Sequence, residues 1–249
     1  MQKLDLLVPE WPAPAGVRAV CTTRGGGVSQ GCFESLNLGN HVGDDEEAVA
    51  ENRRRLQATI GVRPVFLQQV HGVAVVSLDA ALAEEATADA CVTTGVGLAC
   101  TIMVADCLPV LFTDAEGRQV AAAHAGWRGL AAGVLEKTLA TFSAGERVMA
   151  WLGPCIGPSA FEVGPEVKAV FEAHDPALGA CFKPAGAEGK WKADLPGLAR
   201  RRLMAAGVAA LHGNDGTAGW CTVSNPSRFF SHRRDGLSGR LAACIWKTP

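Results

Sequence analysis

The chain has 249 residues, of which 48% are hydrophobic, and a formal net charge of −2. Its length is long for one ordinary domain and short for two large ones, and its apolar residues are enough for a sizeable core. The near-neutral charge, with no long basic run, argues against binding to nucleic acid or to a membrane surface by bulk electrostatics.

The cysteines and the N-terminal residues indicate the compartment. Nine cysteines are scattered along the chain without a CxxC pair, and an odd number in a chain of this size does not suit a disulfide framework. The N-terminus carries Asp5 and then Pro9, Pro12 and Pro14, which is not the pattern of a signal peptide. No apolar stretch is long enough to span a bilayer. We therefore expect a cytoplasmic protein.

Hydrophobic periodicity predicts strands and helices in the first half of the chain. The segment 44–60 has helical spacing, with Asp44 or Asp45 as the N-cap and Gly61 as the end. A glycine-rich loop is expected at 23–29, and a helical turn at 80–88 capped by Asp79. The predicted strands are 17–22, 65–70, 73–78, 98–104, 110–113 and 119–124.

The second half continues the alternation of strands and helices. Helices are predicted at 127–142, 166–174 and 195–206. Strands are predicted at 148–152, 220–223 and 240–246. This mixture predicts an α/β (mixed α+β) fold in which helices cover mixed β-sheets, and one domain over residues 1–249 is the simplest organisation.

Three short segments place soft metal ligands where strands are expected to end. They are 69–72, 105–109 and 124–129, and they contain His71, Cys107 and His124. Three such ligands leave a fourth position of a zinc-like ion open, which is the catalytic pattern. The ligands are widely separated in sequence, so a buried cysteine beside two histidines bonded to backbone is the alternative interpretation.

These segments, together with 153–164, Ser35-Leu36-Asn37-Leu38-Gly39 and Arg233-Arg234-Asp235-Gly236, resemble the bacterial laccase-domain family. Members of that family have been labelled polyphenol oxidases, and later purine nucleoside phosphorylases with adenosine deaminase activity. The resemblance covers nearly the whole chain. It implies a single domain of sandwiched layers and a zinc whose ligands, and catalytic residues, are His71, Cys107 and His124.

The resemblance also implies the substrates. We expect phosphate-dependent cleavage of adenosine, inosine, guanosine or S-methyl-5′-thioadenosine, with adenosine deamination in the same pocket. The partners are then a purine nucleoside and phosphate, without nucleic acid or membrane. The usual zinc-deaminase signature of HxE with PCxxC is absent from the sequence, so deamination would use a different scaffold.

Four residues are candidates for substrate contacts. Arg24, beside its glycine-rich loop, and Arg233 with Arg234 carry guanidinium groups that match phosphate oxygens. Asn37 could hydrogen-bond a sugar hydroxyl or the ring, and the resemblance favours both Arg24 and Asn37 as parts of the pocket. The alternatives are a turn residue for Asn37 and a solvated hairpin tip for the two neighbouring arginines.

Two other enzyme classes compete with this interpretation. A copper-dependent polyphenol oxidase would need many histidines in HxH pairs, and the chain has six histidines and no such pair. Copper nevertheless stays an alternative ion for the same three ligands. A metal-free hydrolase acting on a cell-wall precursor amide would use Cys107 as nucleophile and His124 as base, which leaves His71 without an obvious role. A purely structural zinc would need a fourth protein ligand.

Overall fold

A computed structural model describes residues 4–78, 86–208 and 210–249. The helical turn predicted at 80–88, with its cap Asp79, lies largely outside these ranges. Within them, no helix has the length and apolar character needed to cross a membrane.

Helices and strands alternate along the described residues. The helices are α1 (Glu46–Ile60), α2 (Trp127–Ala132), α3 (Val134–Leu139), α4 (Pro165–His174), α5 (Leu195–Ala205) and α6 (His232–Asp235). The strands are β1 (Leu6–Leu7), β2 (Val17–Thr22), β3 (Arg63–Val65), β4 (Val75–Ser77), β5 (Ala90–Thr93), β6 (Leu98–Val104), β7 (Leu108–Asp114), β8 (Val120–Ala125), β9 (Val148–Leu152), β10 (Glu162–Val163), β11 (Phe182–Pro184), β12 (Trp191–Ala193), β13 (Ala210–Gly213) and β14 (Leu241–Lys247).

The strands form two large mixed sheets and one small sheet. The five-stranded sheet has the order β1-β2-β14-β6-β3, and the six-stranded sheet has the order β13-β9-β7-β8-β5-β4. The three-stranded sheet has the order β10-β12-β11. Most pairs are antiparallel, but β3 with β6, β4 with β5 and β13 with β9 are parallel. The predicted mixed α+β class is confirmed.

The hydrophobic cores show how the layers stack. One core lies between the two large sheets, a second lies between the five-stranded sheet and α1, and a third lies between the six-stranded sheet and the helices α2 to α5. Strand β14 supplies alternate residues to two of these cores because successive side chains of a strand point to opposite faces. Leu241, Ala243 and Ile245 belong to the core between the sheets, whereas Ala242, Cys244 and Trp246 belong to the core beneath α1.

Helix α1 follows the local signals that predicted it. The Asp45 side chain accepts a hydrogen bond from the Ala48 amide at 2.8 Å, and Gly61 ends the helix in the left-handed conformation. Val49 and Leu56, on the predicted apolar stripe, are buried. This helix therefore begins and ends where its capping residues direct.

Three predicted elements are wrong. The helix predicted at 127–142 is divided into α2 and α3 by Gly133, whose φ of 99° interrupts the helical hydrogen bonding. The segment 220–223 forms no strand; Cys221 makes an isolated bridge with Cys155 after a short 3₁₀ turn. The strand predicted at 65–70 shares only Val65 with β3, which ends there. Glycine in the left-handed region explains the first error, because the periodicity of the apolar residues continues across it.

We expect Gly133→Ala to destabilise the fold. An added Cβ has room, but a residue other than glycine at φ 99° costs about 1–2 kcal/mol. Urea denaturation measures the loss. Gly219→Ala, at an exposed glycine with open space around it, is the control and should change stability by less than about 0.5 kcal/mol. Equal stability of the two variants would contradict the assigned role of Gly133.

Candidate metal centre and substrate cleft

The structure brings the three predicted ligands together. The ligand atoms of His71, Cys107 and His124 all lie within 4.8 Å of one another. The Sγ atom of Cys107 is 3.6 Å from Nε2 of His71, and the two imidazole rings meet edge to face with centroids 4.7 Å apart. These residues could hold one metal ion.

Each ligand reaches the site from a different local structure. His124 lies near the end of β8, where the register pairs it with Pro109, and Cys107 lies in the turn just before β7. The antiparallel pairing of β7 and β8 therefore brings these two together. His71 does not follow a strand end as predicted; it lies in the loop between β3 and β4, with a φ of 60°.

The carboxylate of Asp89 holds two of the ligands. Oδ1 accepts from His124 Nδ1 at 2.8 Å and from the His71 amide at 2.9 Å. Oδ2 accepts from the amides of Val70 at 3.2 Å and Gly72 at 2.6 Å. Because Nδ1 of His124 is bound to Asp89, its Nε2 is the atom available to a metal.

Burial raises the pKa of Asp89, but the bonds from His124 and from the Gly72 and Val70 amides outweigh it, and the net pKa is lowered. The carboxylate is therefore ionised at neutral pH. Sequence reasoning missed Asp89. The available signal was a lone acid at the start of an apolar run, a pattern that many surface strands share.

A second carboxylate shapes the turn that carries Cys107. Asp106, with a φ of 92°, accepts from the Thr222 hydroxyl and from the Arg233 amide, both at 2.6 Å. Its carbonyl accepts from the amide of Ile156 at 2.8 Å. These bonds tie the turn between β6 and β7 to α6 and to the segment after β9.

Glycine at position 126 lets the ligands approach each other. A Cβ there would lie 2.9 Å from Cys107 Sγ and 2.8 Å from Cδ2 of His71. Both distances are shorter than real contacts allow, so a larger residue would displace the ligands.

The donor set and its spacing fit zinc. Zinc binds thiolate at about 2.3 Å and imidazole at about 2.0 Å, which places the two donor atoms about 3.6 Å apart in a tetrahedral site. The distance from Cys107 Sγ to His71 Nε2 is 3.6 Å. Three protein ligands leave one position open, as in catalytic rather than structural zinc sites.

The ligands also perturb one another's protonation in the ion-free protein. Burial raises the pKa of Cys107, but His124 and His71 lower it more, and the result is a pKa of about 6. Burial lowers the pKa of His124, but the Cys107 thiolate and Asp89 raise it to about 9. At neutral pH the ion-free protein therefore holds the Cys107 thiolate beside the His124 imidazolium. A metal ion that binds to His124 displaces the proton from its ring.

A cleft of about 450 Å³ opens beside these ligands, and its lining mixes apolar and polar side chains. The apolar ones include Trp127, Ile156, Phe161 and Leu195, and the polar and charged ones include His41, Gln69, Asp106, His232, Arg233 and Arg240. The volume is in the range of small-molecule sites. Arg240 and Trp127 were not among the predicted substrate contacts.

Of the four predicted substrate contacts, Arg233 lines the cleft. Its guanidinium carbon is 5.5 Å from the centroid of the Phe161 ring, and its Nη1 donates to the Glu162 carbonyl at 3.1 Å. Its neighbour Arg234 is not in the lining. Arg234 donates to the backbone carbonyls of the preceding segment and to Asp235, and so holds its own loop together.

Arg24 and Asn37 are also absent from the lining. The guanidinium of Arg24 donates to the carbonyls of Glu34 at 2.8 Å and Pro226 at 2.9 Å. Asn37 is fully buried, where it bonds Gly39 and the side chain of Asp44. Both residues order loops, and the structure does not bring them to the three ligands.

Comparison with known proteins shows the family. Residues 18–248 match the model of the family described as multi-copper polyphenol oxidoreductase laccase. The chain belongs to this family. A protein of Pseudomonas aeruginosa named purine nucleoside phosphorylase is 54% identical over 96% of this chain and 97% of its own length. YfiH of Escherichia coli, which is also named purine nucleoside phosphorylase, is 49% identical over 97% of this chain and 98% of its own length.

Solved structures share the fold of this chain. A Neisseria meningitidis protein, NMB0706, superposes with a TM-score of 0.92 at 47% identity, covering 98% of this chain and 99% of its own. YlmD of Geobacillus stearothermophilus superposes with a TM-score of 0.84 at 30% identity over the full length of both chains.

We expect Asp89→Asn to weaken metal binding by about 10- to 100-fold, the usual cost of losing the partner that orients a ligating histidine. The asparagine carbonyl oxygen can accept from two of the four donors, whereas its NH₂ group faces the other two and cannot accept from them, so the His124 ring and its neighbouring loop are no longer both fixed. Competition between the protein and a chromogenic chelator for Zn²⁺ measures the affinity.

Asp114→Asn is the matched control for this variant. Asp114 is equally buried and accepts from the amides of Glu116, Arg118 and Gln119, but it lies away from the ligands. Its variant should retain wild-type metal affinity. Equal loss of affinity in both variants would mean that Asp89 acts through stability alone.

Proposed function

We propose that this protein is a zinc-dependent purine nucleoside phosphorylase that also deaminates adenosine. The observation that carries the proposal is the cluster of His71, Cys107 and His124 at a cleft whose lining contains aromatic, aliphatic and basic side chains. Relatives at 54%, 49% and 43% identity, matched over nearly their full lengths, bear the name purine nucleoside phosphorylase.

The lining of the cleft suits a nucleoside. The aromatic side chains of Trp127 and Phe161 suit a flat purine, and Arg233, whose guanidinium lies 5.5 Å from the centroid of the Phe161 ring, can contact the edge of that purine. In phosphorolysis, a phosphate oxygen forms a bond to C1′ while the bond from C1′ to the purine nitrogen breaks. The products are the free base and ribose 1-phosphate, and the transition state resembles an oxocarbenium ion. Adenosine, inosine, guanosine and S-methyl-5′-thioadenosine are the proposed substrates.

Deamination needs a different displacement in the same cleft. Water adds to C6 of the adenine ring and ammonia leaves, which yields inosine. Zinc held by His71, Cys107 and His124 would supply Lewis-acid chemistry, lowering the pKa of water and polarising a substrate atom. Asp89 keeps the His124 ring oriented, and the lowered pKa of Cys107 keeps its sulfur in the thiolate form that a metal requires.

A metal-free cysteine hydrolase is the second candidate, and one observation favours it. In the ion-free protein, the Cys107 thiolate lies beside His71 and the protonated His124, which is the arrangement of a nucleophile with its proton donor. The thiolate would attack an amide carbonyl, and His124 would donate its proton to the leaving amine. Water would then hydrolyse the thioester, which releases the acid and restores the thiolate and the imidazolium.

We expect Cys107→Ala to lose the metal and both nucleoside activities together. Elemental analysis of the purified protein should fall from about one zinc per chain, the content of one three-ligand site, to almost none. Chromatography of adenosine incubated with phosphate follows adenine and inosine in the same preparations. Cys32→Ala, at an exposed cysteine, is the control and should keep zinc and turnover.

Two outcomes would contradict the zinc mechanism. Full turnover by the metal-free Cys107→Ala protein would exclude both the metal and the thiol from the chemistry. Turnover by zinc-free wild-type protein that chelators spare and iodoacetamide abolishes would support the cysteine hydrolase.

We expect Arg233→Gln to raise the nucleoside KM about tenfold, the cost of about one charge-assisted hydrogen bond. The increase should be similar for phosphorolysis and deamination, because both reactions bind the same purine end. Initial rates at varied adenosine concentration measure it. Arg200→Gln is the control, since Arg200 also donates to backbone carbonyls but lies outside the cleft. An unchanged KM in Arg233→Gln would remove this residue from the site.

A further inference from the structure

A second chamber adjoins the cleft. It encloses about 500 Å³ and shares His41, Gln69 and Met103 with the lining of the cleft. Gln69 is fixed between the two spaces, because its side chain donates to the Met103 carbonyl and accepts from the Met103 amide, both at 2.8 Å. The two chambers are therefore neighbouring parts of one depression, and the hydrogen-bonded side chain of Gln69 contributes to the walls of both.

Basic side chains continue from one chamber into the other. Arg240 lines the cleft, His41 lines both chambers and Arg53 lines the second. No acidic side chain is among the described residues that line the second chamber. Burial lowers the pKa of His41, and the charges of Arg240 and Arg53 lower it further, so that the imidazole is a neutral hydrogen-bonding group between two cations.

Arg53 is held in place at the wall of the second chamber. Its guanidinium carbon lies 4.0 Å from the centroid of the Phe66 ring, and its Nε donates to the Leu38 carbonyl at 3.0 Å. A guanidinium fixed in this way loses little conformational entropy when it binds an anion, and its planar fork matches phosphate oxygens.

We propose that the second chamber binds the phosphoryl group of the reaction, with Arg53 and Arg240 as its charged contacts and His41 between them. The inference rests on the proposed function and assigns the anion to a place away from Arg24 and Arg234. The purine would then lie against Trp127 and Phe161, with the metal ligands between the two ends. The phosphoryl group has two chemical sources: free inorganic phosphate, or a phosphate ester carried on the nucleoside.

Calorimetric titration tests the chamber without requiring turnover. Inorganic phosphate and adenosine 5′-monophosphate are titrated separately into zinc-loaded wild-type protein, Arg53→Met and Arg54→Met. Arg54 is the matched control because it is on the same helix, exposed, and paired with Glu51 at the surface. Methionine keeps an unbranched apolar side chain but removes the guanidinium group and its contact with the Phe66 ring.

We expect the affinity for at least one of the two probes to fall about tenfold or more in Arg53→Met, the cost of one charge-assisted contact, and to change less than about twofold in Arg54→Met. Loss for inorganic phosphate identifies a co-substrate site, and loss for the nucleotide alone identifies a site for a substrate-borne phosphate. Arg53→Lys, which keeps the charge but not the fork, should lose less than Arg53→Met. Thermal unfolding of each variant checks that the fold is intact.

Other results would overturn the assignment. Wild-type affinity of Arg53→Met and Arg53→Lys for both probes would do so, and so would loss of phosphate affinity in Arg24→Gln but not in Arg53→Met. The proposed function fails separately: wild-type protein that binds phosphate through Arg53 but turns over no nucleoside would retain the anion chamber and exclude the phosphorylase.

Discussion

The site depends on one buried carboxylate that reaches both sides of the metal centre. Asp89 is fully buried, and each of its oxygens accepts two hydrogen bonds. One of the four bonds fixes the ring of His124 on β8, and the other three fix the backbone of the loop that carries His71. An ionised group in the interior is costly unless its bonds are satisfied, so this network has little freedom to rearrange. The positions of His124 and His71 thus depend on the side chain of Asp89, just before β5.

The third ligand depends on a different constraint. Cys107 follows Asp106, whose positive φ is unusual for a residue other than glycine. Strain of this kind persists only where the surroundings determine the conformation, and here the Thr222 hydroxyl and the Arg233 amide bind the Asp106 carboxylate. The same bonds place Arg233 at the rim of the cleft, so the metal centre and the proposed purine end share one support.

The family description and the site differ in the number of metal groups. The matching family is described as multi-copper, yet the chain has no HxH pair, and within the described residues one group of three candidate ligands forms. One thiolate with two imidazoles is a donor set that both zinc and copper accept. The cleft beside it contains aromatic side chains and basic groups in one lining.

Sequence reasoning succeeded where the signals are local. Helix α1 was predicted from a cap, an apolar stripe and a terminal glycine, all of which act within a few residues of the backbone they control. It failed at Gly133, where an unbroken periodicity hid a turn. For Arg24, Arg234 and Asn37 the substrate role stays a prediction: the structure places them outside the lining of the cleft, with donors on nearby carbonyls, which residue type alone does not reveal.

The sequence by itself determined the mixed fold class and the helix boundaries set by capping. It also predicted the three candidate ligands that the structure brings together, His71, Cys107 and His124, since their flanking motifs are contiguous. Only the tertiary structure decided how those ligands meet. Strand register brings His124 opposite Pro109 and next to Cys107. Asp89 binds the amide of His71 and so fixes the loop that connects β3 of one sheet to β4 of the other. Packing also decided which arginines face the cleft. Hydrogen bonds between residues distant in sequence, such as that from Arg24 to the Pro226 carbonyl, hold some guanidinium groups away from it.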